Sequence, residues 1–212
     1  MKPSPTGVGW RSSATRWGRG TILLHWTVAA LVLAMLGLGL VMVHAIADPG
    51  RRFELYQTHK SLGFVVLAFC LVRIGWRVVD PRPAGLGQRG LLRHAARATH
   101  LALYAVPLAL VATGCLAVSA SPIPLPTAVF GLVTVPNLTG PDVATYLGAR
   151  SAHRLLAWSV GGLVLVHTLA GLLHHGVAGD DTLRRMLGLG LRGASKSGKR
   201  TGQRAQDLTS RS

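Results

Sequence analysis

Three long runs of the chain carry no Asp, Glu, Lys or Arg: residues 20–47, 98–141 and 155–179. A helix needs about 20 predominantly apolar residues to cross the hydrocarbon of a bilayer, and each run can supply one. The middle run exceeds a single span. Its second half holds prolines at 122, 124, 126, 136 and 141, which no uninterrupted helix accommodates, so the pattern predicts a helix over residues 98–119 followed by a loop. A fourth apolar segment, residues 56–76, has an uncharged centre at 61–72 flanked by Lys60 and Arg73. Long cationic side chains near helix ends reach the membrane interface, so these flanks suit a spanning helix. The predicted fold class is an all-α membrane protein, a four-transmembrane-helix bundle.

The basic residues orient it. Four Lys and Arg precede the first helix, six lie in the second connection and eight follow Asp180, against three in the first connection and two in the third. Positive residues gather on the cytoplasmic side, which puts both termini and the middle connection there and leaves two outward loops. The expected organisation is a cytoplasmic N-terminal extension over 1–18, one bundle domain over 19–187, and a disordered basic tail over 188–212 near the membrane surface. Basic residues before the first run and the Ala45-Ile46-Ala47 sequence resemble a secretory signal, but a signal's apolar core is only about 7 to 15 residues, so a retained helix is expected.

Composition narrows the function. Charged residues make up 14% of the chain, too few to coat a water-facing surface, while the net charge is +16. A basic excess can mark nucleic-acid binding, but that needs a soluble basic face, and here the basic residues sit between apolar runs. No nucleic acid partner is expected; the lipid bilayer is. The two cysteines, Cys70 and Cys115, both lie in apolar runs and form neither a disulfide framework nor a Cys-x-x-Cys-His haem-attachment site.

Nine histidines is many for such a chain, and their spacing carries chemistry. At 100° per residue His153, His167 and His174 fall on one face of the fourth helix, and His153 and His167 stand about 21 Å apart along its axis. Both levels lie within a hydrocarbon core about 30 Å thick, so two large cofactors can stack there. Buried imidazoles need partners at matching depth. His25, near the cytoplasmic end of the first helix, matches His167, and His59, near the outer end of the second, matches His153. His44 competes with His59 but lies about 100° off the face of His25. A haem held by two histidines has no open position, which favours electron transfer over oxygen chemistry.

Depth is matched only if the fourth helix projects past the bilayer or tilts. Projection brings His174 to the cytoplasmic interface, within reach of a quinone or a proton. His94 is expected in a loop, and His175 off the stripe as an interface residue. Gly63, Gly161, Gly162 and Gly171 lie near the candidate ligands, where a missing side chain lets a flat macrocycle approach or helices pack closely.

These residues resemble the prokaryotic cytochrome b561 family of di-haem four-helix cytochromes in the bacterial inner membrane. The matching pieces are Leu24-His25-Trp26, His59 with Gly63 and Arg73, His100-x-x-x-Tyr104 followed by Gly114, His153 and His167, His174-His175, and the closing stretch from Asp181 to Met186. The resemblance implies two haem b groups, with His25 and His167 ligating the cytoplasmic-side iron and His59 and His153 the outer one. It also implies exchange with a ubiquinone pool near His174 or His175, and a periplasmic donor that in some members is superoxide. Arg97 stands one turn before His100, where some members place another histidine, which leaves the role of His100 open.

Two other functions compete with an electron carrier. One is the cytochrome b membrane anchor of a hydrogenase or formate dehydrogenase, the other a histidine-lined metal transporter. The three long spans hold no carboxylate, which counts against the transporter.

Overall fold

The computed structural model describes residues 9–81, 90–123, 125–176 and 181–189. The first eight residues, 82–89 of the second connection and the basic tail from 190 lie outside the described residues, and of His174 only the backbone is described.

Four long helices form the molecule: α1 (Arg19–His44), α2 (Pro49–Val79), α3 (Leu91–Ser119) and α4 (Val143–Gly176). All four are long and apolar enough to cross a membrane. They run alternately up and down. At what we call the near end α1 and α3 begin and α2 and α4 finish; the far end carries the α1–α2 and α3–α4 connections. Leu101, Leu155, Leu33 and Trp158 stand more than half exposed on the outside of the bundle. Apolar side chains facing outward on spanning helices are the lipid-facing surface, so the tightly packed interior is small. It centres on Val28, Val66 and Cys70, with Leu31, Met35 and Leu108 against them.

The helices begin where the sequence supplies caps. Asp48 accepts from the Arg51 amide at 2.8 Å just before Pro49, and Asp142 accepts from the Thr145 amide at 2.7 Å at the start of α4. The apolar pattern marks membrane spans rather than helix ends. Thus α2 begins before residue 56 and α3 before residue 98, because the charged residues that bound the spans continue the helix into the interface. His94, expected in a loop, therefore lies in the first turn of α3, where its Nδ1 donates to the Gly90 carbonyl at 3.1 Å.

The proline-rich connection contains a hairpin, β1 (Thr127–Val129) and β2 (Val133–Val135), paired antiparallel with Ala128 opposite Thr134. Ser61 of α2 ties it down. Its hydroxyl accepts from the Phe130 amide at 2.9 Å and donates to the Gln57 carbonyl at 2.9 Å. At the near end residues 9–18 lie across the end of α2. Ser12 donates to Asp80 through its amide at 2.8 Å and its hydroxyl at 2.5 Å, Thr21 adds a hydroxyl at 2.6 Å, and Arg11 donates to the Val79 carbonyl. A short α5 (Thr182–Met186) folds back on α1, where Trp26 donates its indole N–H to the Met186 carbonyl at 2.9 Å.

Candidate functional site

The up-and-down order brings histidines from distant parts of the chain into two pairs. At the near end the rings of His25 (α1) and His167 (α4) lie 6.2 Å apart between centres. At the far end His59 (α2) and His153 (α4) lie 6.2 Å apart as well. All four are half-buried. His44 ends α1 exposed, outside either pair.

Nine residues of α4 follow His167, up to Gly176, whereas six residues of α1 precede His25, back to Arg19, so α4 runs further past its histidine than α1 does. The backbone of His174 lies in this last part of α4. Beside it His175 is half-buried, and its Nδ1 is enclosed with no hydrogen-bond partner among the described residues.

The surroundings of the rings decide which nitrogen is available. His153 donates from Nδ1 to the Leu110 carbonyl of α3 at 2.9 Å, with the Thr113 hydroxyl at 3.3 Å. That bond places the ring proton on Nδ1 and leaves the Nε2 lone pair free, the arrangement in which histidine binds a metal. Nδ1 of His59 is enclosed without a hydrogen-bond partner among the described residues. Gly114 makes room for the His153 ring, which a Cβ there would approach to 3.3 Å, whereas one at Gly39 would lie in ordinary contact with His59 at 3.8 Å. An added Cβ at Gly161, Gly162 or Gly171 would meet nothing within 4 Å, and one at Gly63 would meet only Met35, at 3.9 Å.

Around the near pair, Arg73 of α2 donates to Nδ1 of His25 at 2.8 Å, and its guanidinium lies 5.1 Å from the centre of the Tyr104 ring. His100 of α3 stands 5.5 Å from His167. Sequence reading left His100 without a role and named Arg73 without a contact. The signal available was that His100 and Tyr104 are one turn apart on α3, so both can face one site.

The spacing suits haem iron. A metal–imidazole bond of about 2 Å on each side, plus about 1.1 Å from nitrogen to ring centre, would separate two imidazole centres on one iron by about 6.2 Å. Both pairs stand close to that separation before any group is placed between them. Among the described residues no three His, Cys, Asp or Glu side chains converge as a metal-ion cage. The donor set is two pairs of imidazoles, with His100 a third beside His167, and it suits a macrocycle whose iron would take one ligand from each member of a pair once the Arg73 contact on Nδ1 of His25 gives way.

A bundle of four membrane helices with imidazoles facing one another across its interior is the architecture of a b-type membrane cytochrome. The family model for prokaryotic cytochrome b561 matches residues 16–189. Cytochrome b561 homolog 2 of Escherichia coli (strain K12) is 36% identical over 182 residues, which cover 85% of this chain and 96% of that protein. The chain belongs to the prokaryotic cytochrome b561 family. Membership makes it a multi-pass bacterial membrane protein that binds haem b and transfers electrons across the membrane.

Proposed function

We propose that the chain carries electrons across the bacterial inner membrane through two haem b groups, one held by His25 and His167 and the other by His59 and His153. The observation that carries this reading is the equal 6.2 Å separation of the two pairs. A haem bound at each pair supplies a one-electron ferric–ferrous couple. With both imidazoles of a pair committed to one iron, no position on it would be open to oxygen, and the chemistry the group would supply is electron transfer. Leu110 orients His153 through Nδ1, so that ring cannot turn its ligating nitrogen away. The pairs are separated by 14 residues of α4, about 21 Å, which spans most of the hydrocarbon.

The near end faces the cytoplasm in this reading, because basic residues concentrate there. A periplasmic donor, with superoxide as one candidate, delivers electrons at the hairpin end, and ubiquinone exchanges them at the near end. His174 is placed to meet the quinone because it lies seven residues, about 10 Å, beyond His167 on the same face of α4. An imidazole there can hydrogen-bond a quinone oxygen or supply a proton, since its ordinary pKa lies near physiological pH. His175 is the alternative.

A reduced-minus-oxidised absorption spectrum of the purified full-length protein, with haem quantified per chain, tests the proposal. Two haems per chain, both with bis-histidine b-type bands, are expected. One haem or none would overturn it.

A further inference from the structure

The two pairs differ in what meets the Nδ1 of one member ring. At the far pair, Nδ1 of His153 meets the negative end of the Leu110 carbonyl. At the near pair, Nδ1 of His25 meets the guanidinium of Arg73 at 2.8 Å. Arginine stays charged at any physiological pH. Arg73 is half-buried within a membrane-spanning helix and forms no ion pair among the described residues. The carboxylate two turns further along α2, Asp80, is already occupied by Ser12 and Thr21. At the far end Lys60, next to His59 in sequence, turns its ammonium to the Pro126 carbonyl at 3.5 Å.

A guanidinium only donates, whereas an imidazole bound to iron through Nε2 carries its proton on Nδ1. Iron at Nε2 would therefore require the direct contact to give way, and the face of Tyr104, 5.1 Å from the guanidinium, would keep the positive charge in the same wall beside the ligand. Ferric haem carries one more positive charge than ferrous haem, so a neighbouring cation in a low-dielectric site favours the reduced state. A carbonyl on Nδ1 raises the basicity of the ligand and favours the oxidised state.

We propose that Arg73 sets the order of the two haem potentials, holding the His25–His167 couple above the His59–His153 couple so that electrons run from the far end to the near end. The proposal rests on the reading of the pairs as haem ligands. Arg73 is a positioning and tuning residue, with no part in ligating iron.

The test is a redox titration of the full-length protein, followed at the haem absorption bands, for wild type, R73Q and R73K. Each is also prepared with H153A, which retains only the near-end haem. R73Q is expected to make that haem about tenfold harder to reduce, a fall of about 59 mV for a one-electron couple, while the far-end haem keeps its potential. R73K restores the wild-type value because it restores the charge. An unchanged near-end potential in R73Q, an equal shift of both haems, or a shift in R73K as large as in R73Q would overturn the proposal. So would loss of the near-end haem from both variants, which would make Arg73 an assembly residue. Haem content of the same samples tests the underlying reading separately: H153A with about one haem per chain upholds the ligand pairs whatever the potentials do, and H153A with two removes both ideas.

Discussion

Gly114 of α3 stands against the ring of His153: a Cβ at this position would lie 3.3 Å from Cε1 and 3.4 Å from Nδ1. The close approach lets Leu110, one turn earlier on α3, present its carbonyl to the same ring. A methyl at 114 forces the imidazole to give by a few tenths of an ångström, and a longer side chain displaces it. Gly114→Leu is expected to lose the far-end haem and keep the near-end one, with Gly114→Ala intermediate. Haem per chain and the difference spectrum report both.

Asp80 joins the N-terminal segment to α2. Burial would raise its pKa, but the hydrogen bonds from Ser12 and Thr21, with Arg11 nearby, outweigh it and hold the carboxyl below the usual range. A depressed folded-state pKa contributes stability that is full above the unfolded value of about 3.9 and is lost as pH falls through the folded value. Asp80→Asn should therefore cost about 2 kcal/mol at pH 7, and the difference from wild type should shrink below about pH 4. Thermal unfolding of both proteins in detergent at pH 7 and pH 3 checks the sign.

The distribution of Lys and Arg predicts the sidedness of the connections. A reporter fused after Pro136, beyond the hairpin, should read periplasmic, and one fused after Gly85 should read cytoplasmic. Gly85 lies outside the described residues, so its side is carried by the basic neighbours alone. The opposite pattern would reverse the assignment of the two pairs to membrane faces.

Much of this was legible in the sequence because membrane helices have a strong one-dimensional signal. Residues without charge over a span, together with histidines at matched depths, were enough to predict four helices and to put His25 opposite His167 and His59 opposite His153. What the chain did not reveal depends on contacts between segments far apart in sequence. Nothing local to Leu110 shows that its carbonyl meets His153, and Arg73 reads as a flank of an apolar run until α1 is packed beside it. The hairpin was hidden by its prolines, which signal interruption of a helix without signalling strands. Residues 9–18 read as an extension because their order comes from Asp80, some seventy residues later.

His174 separates haem binding from quinone chemistry. Replacing it with Ala is expected to leave both haems in place and slow reduction of a soluble ubiquinone analogue about a hundredfold, the lower end of the range for loss of a general acid or base. The rate is read by stopped-flow reoxidation of the reduced protein. A wild-type rate in His174→Ala, and likewise in His175→Ala, would remove the quinone from this end of α4.

The central claim is that α4 serves two haems with two different histidines, and haem stoichiometry in single-ligand variants tests it most directly. His153→Ala and His167→Ala should each retain about one haem of two, and the retained haems should differ in spectrum because each belongs to the opposite end of the bundle. Two haems retained in both variants, or the same haem lost from both, would contradict it.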